Sequence, residues 1–140
     1  MSIASQSYGP LVGRILIAPL FLLSGIHKIT GFSAVAATMA RAGMPASETL
    51  LIGAIVLELV GGLMVLLGWH ARLGALLLAV FTIAATVVFH NFWAVDAAQV
   101  RGQLNHFMKN LAILGGLAYI MAMGSGPFSL GKEGASKSAH

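Results

Sequence analysis

The sequence contains no cysteine and few charged side chains. Without cysteine, disulfide bonds, thiol redox chemistry, iron–sulfur clusters and cysteine-ligated zinc are excluded. Charged residues make up 9% of the 140 residues and hydrophobic residues 58%, whereas a soluble domain usually carries about 25% charged residues. A small soluble protein needs polar surface because most of its area faces water, so this composition favours a protein embedded in the lipid bilayer.

Basic residues and known catalytic motifs are also scarce. Eight Lys and Arg against four acids give a net charge of +4, and no basic run is interleaved with aromatics, so we expect no nucleic-acid partner. The sequence has no Gly-rich phosphate loop, no HExxH zinc motif and no Ser–His–acid set, and we predict no metal site. The first ten residues lack Lys and Arg, so we expect the first hydrophobic run to be a retained span rather than a signal peptide.

Four hydrophobic segments are long enough to cross a membrane, which takes about 20 apolar residues. They cover residues 11–29, 46–67, 71–93 and 104–123. Only Gly68, Trp69 and His70 separate the second and third segments, so these two helices must be antiparallel neighbours. The sequence therefore predicts an all-α membrane protein, a four-transmembrane-helix bundle over residues 1–123. A flexible polar C-terminal tail is expected over 124–140.

Residues 31–45, between the first two spans, predict a short amphipathic helix. Its apolar residues recur at helical spacing at Phe32, Val35, Ala36 and Met39. Pro45 suits the first turn of the helix that follows. We expect this helix to lie at the membrane interface or in the mouth of the bundle.

Membrane orientation stays open. Four spans place both termini on one side, and the excess of Lys and Arg normally marks the cytoplasmic side. The terminal side holds Arg14, Arg72, Lys132 and Lys137, and the opposite side holds Lys28, Arg41, Arg101 and Lys109. The two sides therefore carry equal numbers of Lys and Arg, and this count does not assign the cytoplasmic side.

Small and polar residues fall on one face of each span. A charged side chain in the membrane centre costs about 2.5–3.5 kcal/mol, so such residues usually face the bundle interior. The inward residues include Arg14, Gly25, Lys28, Glu58, Gly61, Gly62, Thr82, Thr86, His90, His106, Lys109 and Asn110. The pairs Gly61-Gly62 and Gly115-Gly116 are expected to let helices pack closely.

Each of these charges has a structural interpretation beside a functional one. Arg14, Lys28 and Arg72 lie toward span ends, where cationic side chains commonly reach for the lipid headgroups. Glu58 lies too deep for that. It can form a structural ion pair with Arg14, form a hydrogen-bonded protonated carboxyl, or handle protons or a ligand.

Two histidines, His90 and His106, are expected to face inward at similar depth on adjacent helices. Such pairs more often form hydrogen bonds than bind metal. Bis-histidine ligation of haem is the less favoured alternative.

Short motifs in matching order resemble the DoxX family of small four-helix membrane proteins. The motifs are GRILIAPLFLLSGIHKITGF, a GMP turn, ELVGGLMVLLGWHARLGALLLA, FHNFW and FMKNLAILGGL, spread over about residues 10–123. The matching positions are Arg14, Gly25, Lys28, Pro45, Glu58, Gly61, Gly62, Gly68, Arg72, His90, Lys109 and Asn110. The resemblance implies a multi-pass protein of the bacterial inner membrane. Family relatives include the membrane part of a thiosulfate:quinone oxidoreductase, which implies a redox partner protein.

We therefore predict a membrane subunit of a redox system that binds quinone, or a similar lipophilic molecule, inside the bundle. The expected catalytic residues are Glu58, His90 and Lys109, and the expected quinone-binding residues are Lys28, His90, Trp93, His106, Lys109 and Asn110. One alternative is a proton-coupled transporter, switched by Glu58 and Arg14, that would need a homo-oligomer. Another is a non-catalytic scaffold of a larger membrane complex.

Overall fold

The computed structural model describes residues 3–131, with side chains from residue 8 onward. Lys132 and Lys137 lie outside the described residues. The elements are α1 (Ile3–Thr30), α2 (Phe32–Arg41), α3 (Ser47–Leu67), α4 (Ala71–Phe89), a 3₁₀ turn (Phe92–Ala94) and α5 (Ala97–Met123). Within the described range, α1, α3, α4 and α5 are each long and apolar enough to cross a membrane. The predicted all-α bundle of four membrane helices is confirmed.

The four long helices alternate in direction and define two surfaces. We call the side where α1 ends and α5 begins the α2 surface, because α2 lies there, and the opposite side the terminal surface. Neighbouring pairs pack in the order α1, α3, α4, α5, and the seam between α1 and α5 is the least closely packed. The central core contains Ala18, Phe21, Val65, Leu78 and Leu117.

Three span boundaries differ from the predicted ones. α1 begins at Ile3 rather than at residue 11. α4 ends at Phe89, and Phe92 and Trp93 belong to the separate 3₁₀ turn. α5 begins at Ala97 rather than at residue 104. Hydrophobicity marks only the part of a helix that crosses the membrane, whereas good helix formers such as Gln99 and Gln103 extend α5 beyond it.

The predicted short helix is present as α2, and it lies in the mouth of the bundle. Its Ala36 and Met39 are buried and pack with Leu51 of α3, while Phe89 of α4 lies against the same cluster. The apolar face of α2 is thereby buried in protein rather than laid on the lipid interface.

Glycines set the distance between α3 and its neighbours. A Cβ added to Gly74 of α4 would lie 2.7 Å from the Met64 Cβ and 3.0 Å from the Gly61 carbonyl oxygen. A Cβ on Gly62 would lie 2.8 Å from Leu22 of α1. The Gly61-Gly62 pair therefore packs against helices on both sides, whereas a Cβ on Gly115 would meet open space.

Residues 124–131, the first part of the predicted tail, fold back over the C-terminal end of α3. The last four carbonyls of a helix lack partners within it. Here each one accepts a hydrogen bond: Met64 from Trp69 N, Val65 from Gly68 N, Leu66 from Arg14 and Leu67 from Leu130 N. Gly68 has a φ of 68°, the left-handed conformation that ends such a helix. The remaining predicted tail, 132–140, lies outside the described residues.

Candidate functional site

The candidate site centres on an ion pair between α1 and α3. Lys28 Nζ lies 3.0 Å from Glu58 Oε1 and 3.0 Å from Oε2. It also donates to Ser24 Oγ at 2.6 Å. The Glu58 side chain is 1% exposed and that of Lys28 is 22% exposed. The Glu58 side chain is therefore almost fully buried, whereas part of the Lys28 side chain is exposed.

Helix geometry directs Lys28 inward. Side chains on a helix lean toward its N-terminus, so a long one reaches the residue four positions earlier, here Ser24. Since α1 runs from the terminal surface to the α2 surface, leaning back carries the ammonium group into the membrane and away from the headgroups. It meets Glu58, which lies about 16 Å along α3 from Ser47. The headgroup interpretation of Lys28 does not hold.

Gly25 permits the approach of α3 to this part of α1. A Cβ there would lie 2.7 Å from Leu59 Cδ2 and 3.6 Å from the Glu58 Cβ. A larger residue would have to displace the Leu59 side chain and would contact Glu58 directly.

Arg14 is bound elsewhere and forms no ion pair with Glu58. Its Nη1 donates to the Leu66 carbonyl at 2.8 Å and its Nη2 to the Phe128 carbonyl at 2.9 Å. Arg14 and Lys28 are fourteen residues apart, so about 21 Å of helix separates them. The structural ion pair considered from the sequence exists, but its cation is Lys28.

A cavity of about 400 Å³ lies beside the ion pair, and we call it the polar cavity. Side chains from α1, α2, α3, α4 and α5 line it. The polar ones are Ser24, Lys28, Thr38, Glu58, Thr82, His90 and Asn110, and the aromatic ones are Phe21, Phe81 and Phe89. Lys28 Nζ lies 5.5 Å from the centre of the Phe81 ring, which stabilises the cation without neutralising it.

Hydrogen bonding at the ion pair is incomplete. Glu58 Oε2 is buried and within ion-pair distance of Lys28, yet no described residue donates a hydrogen bond to it with acceptable geometry. A lysine ammonium has three donors. Among the described residues, Ser24 and Glu58 Oε1 accept two of them. One Lys28 donor and Glu58 Oε2 thus have no hydrogen-bond partner of acceptable geometry among the described residues, and both residues line the polar cavity.

Two further polar groups of the cavity are held by neighbours on α4 and α5. Asn110 Nδ2 donates to Thr86 Oγ1 at 2.8 Å, and the Thr86 hydroxyl donates to the Thr82 carbonyl at 2.6 Å. His90 Nδ1 lies 2.9 Å from Gln103 Oε1 in a hydrogen bond. The amide and the imidazole are therefore fixed in position.

The other predicted residues lie around the cavity rather than in it. Lys109 and His106 are exposed on α5. Trp93 is 59% exposed and packs edge-on against Phe92 and Phe107. The structure thus brings Lys28, Glu58, His90 and Asn110 together, and leaves Lys109, His106 and Trp93 outside the cavity lining.

The predicted inward histidine pair is a stack. The rings of His90 and His106 lie 4.9 Å apart at 19° to each other. Bis-histidine ligation needs a nitrogen lone pair from each ring aimed at one iron from opposite sides. Stacked rings present their faces to each other instead, so this arrangement offers no axial pair.

Two positioning residues were not singled out from the sequence: Ser24, which holds Lys28, and Gln103, which holds His90. Thr86, one of the predicted inward residues, holds Asn110. The sequence could have identified Ser24, since it stands one helical turn before an inward lysine. No sequence pattern indicated Gln103, because it lies outside the predicted span.

Known proteins resemble this chain over most of its length. It is 36% identical over 125 residues to the inner membrane protein YqjF of Escherichia coli K12, covering 89% of this chain and 91% of that protein. It is 29% identical over 123 residues to the inner membrane protein YphA of the same organism, covering 88% of each. No solved structure matches. The DoxX family model matches residues 9–91, which include Lys28, Glu58 and His90. This chain therefore belongs to the DoxX family of membrane proteins.

Proposed function

We propose that the protein is an inner-membrane subunit of a redox system and that it binds the head group of a quinone in the polar cavity. The observation that carries the proposal is the Lys28–Glu58 pair, which leaves one donor and one buried acceptor beside that cavity. The inner-membrane location of two relatives supports the compartment.

Both oxidation states of a quinone complement this pair. A quinone carbonyl oxygen accepts a hydrogen bond, which the free donor of Lys28 supplies. A quinol hydroxyl donates one, which Glu58 Oε2 accepts. Filling a buried acceptor removes a penalty of about 1–3 kcal/mol, so the site favours a ligand that offers a hydroxyl or carbonyl at this point.

The cavity also suits a flat ring. Ligand sites of this kind enclose about 300–1,000 Å³ and combine apolar walls with a few polar groups, and the polar cavity encloses about 400 Å³. Phe21, Phe81 and Phe89 supply the apolar walls, while Asn110 and His90 supply further polar contacts.

Reduction of a quinone to a quinol takes up two electrons and two protons. We propose that the electrons come from a separate redox partner protein. Among the described residues, Glu58, Lys28 and His90 are the groups of the cavity able to pass protons to the ring oxygen within the bilayer.

Equilibrium binding of a tail-less quinone, 2,3-dimethoxy-5-methylbenzoquinone, to protein in lipid nanodiscs tests the proposal. Lys28→Met should weaken binding about 10–100-fold, because a hydrogen bond to a charged group contributes about 1.5–3 kcal/mol. Lys109→Met is the matched control, since this lysine also lies near the α2 surface but is exposed. It should bind like the unaltered protein.

A second variant distinguishes loss of binding from misfolding. Lys28→Met combined with Glu58→Gln removes both charges together. This double variant should stay folded but should bind the quinone only weakly. Unchanged binding in this double variant, or equal losses in Lys28→Met and Lys109→Met, would overturn the proposal.

The transport alternative lacks its switching pair. That idea requires Arg14 to exchange with another partner at Glu58, but Arg14 is hydrogen-bonded to backbone carbonyls at the terminal surface. No other feature of the described residues favours transport over quinone binding.

A further inference from the structure

A second cavity lies against the first. It encloses about 340 Å³ among α2, α3 and α4, and we call it the apolar cavity. Its lining includes Met39, Met44, Leu57, Val80 and Val88. Among the described residues of this lining, Lys28 is the one charged residue and Thr49 adds a hydroxyl. With so few polar groups, the cavity suits a hydrocarbon chain better than a second head group.

The two cavities share a wall. Five residues line both: Lys28, Val35, Phe81, Ala85 and Phe89. Lys28 therefore stands at the boundary between the two cavities. A ligand whose head group is bound at Lys28 would reach the apolar cavity by directing a substituent past Phe81.

The apolar cavity also has room at its α3 wall. Gly53 lines it, and a Cβ built on Gly53 would meet no atom within 4 Å. Leu50 and Val80, which line the same cavity, are exposed on the outer face of the bundle. A chain lying here can thus continue from the protein into the surrounding lipid.

We infer that the apolar cavity holds the hydrocarbon tail of the ligand whose head group binds at Lys28 and Glu58. The inference rests on the proposed quinone site and narrows its substrate class to quinones with a prenyl or alkyl chain. Lipid chains are as apolar as the tail, so transfer from bilayer to cavity brings little hydrophobic gain. The cavity acts instead by packing, and it sets the direction in which the tail leaves the site.

A photoreactive quinone tests this placement. The probe carries a diazirine near the start of its alkyl tail and is illuminated with the protein in lipid nanodiscs, after which the labelled peptides are mapped. Labelling is expected on the α3 and α4 segments that line the apolar cavity, 49–57 and 80–88. Labelling confined to the seam between α1 and α5 would overturn the inference while leaving the proposed head-group site intact.

Filling the cavity provides the matched comparison. Gly53→Leu adds a side chain at a position that lines the apolar cavity and has open space around it, and it is expected to remove the tail labelling. The control Gly115→Leu adds the same side chain in open space on α5, away from both cavities, and should leave the labelling unchanged. Tail labelling that survives Gly53→Leu would contradict the inference.

Two further outcomes separate this inference from its alternatives. The tail-less quinone should bind Gly53→Leu and the unaltered protein equally, so failure of that quinone to bind either protein refutes the proposed function itself. A diazirine phospholipid that labels the same segments, and is not displaced by the tailed quinone, would identify the occupant as an ordinary bilayer lipid and overturn the tail assignment.

Discussion

Loss of Glu58 and loss of Lys28 have different energetic consequences for the partner that remains. Glu58 is sealed in the bundle at 1% exposure, whereas Lys28 is 22% exposed on a long flexible stem. If Glu58 is neutralised, Lys28 can swing toward the headgroups of the α2 surface. If Lys28 is removed, Glu58 has no such route and remains buried beside apolar side chains. The pair is therefore energetically asymmetric.

This asymmetry predicts the outcome of a double-mutant cycle. Lys28→Met should lower the free energy of unfolding by about 3–5 kcal/mol, the cost of leaving a buried charge unpaired. Glu58→Gln should cost clearly less, and the double variant should be more stable than Lys28→Met alone. Unfolding midpoints in detergent measure all three variants, and equal costs for the two single substitutions would contradict the argument.

At the scale of the helices, α3 is the element on which the site depends. It carries Glu58 toward α1 and packs on α4 through glycine. At Gly74 an added Cβ would meet the Met64 Cβ and the Gly61 carbonyl oxygen, which cannot rotate away. At Gly53 and Gly115 an added Cβ meets open space. Some glycines of this chain thus allow two helices to pack closely, whereas others border open space.

We expect Gly74→Ala to lower the free energy of unfolding by about 1–3 kcal/mol, since overpacking forces helices apart. Gly115→Ala is the control, and it should be neutral or stabilise by up to about 1 kcal/mol because alanine is the better helix former. Thermal unfolding in detergent compares the two. Similar effects at both positions would show that α3 and α4 do not cross as closely as described.

At the scale of the whole molecule, Arg14 joins three distant parts of the chain. It lies on α1 and donates to the end of α3 at Leu66 and to the C-terminal segment at Phe128. The Phe128 ring also stacks on Tyr8 of α1, with the ring centres 5.2 Å apart. The Arg14 guanidinium, a charge that is costly in the membrane, thus connects the parts of the chain that form the terminal surface of the bundle.

Arg14→Met should therefore release the C-terminal segment. Loss of the guanidinium leaves two carbonyls without a donor, at a cost of about 1–3 kcal/mol each, and chymotrypsin should cleave after Phe128 faster. Arg41→Met is the control, because the hydrogen bond of Arg41 within the described part of the chain stays inside α2, to Thr38. If both variants are cleaved at the rate of the unaltered protein, Arg14 does not hold this segment.

Local properties determined the spans and the short helix without tertiary information. Hydrophobic runs and their helical spacing depend on neighbouring residues, so residues 46–67 and the apolar face of 31–45 could be interpreted from the sequence alone. The inward direction of Glu58 followed in the same way, since its depth leaves it no route to the headgroups.

Tertiary structure decided which charges meet. Arg14 and Lys28 share one stripe of α1, and sequence spacing cannot say which of them reaches Glu58. The answer depends on how far α3 is shifted along α1, which the contacts of Gly25 and Gly62 set. The sequence by itself determined a membrane bundle with a buried carboxylate. The packing of its helices determined that Lys28 pairs with that carboxylate beside two adjoining cavities.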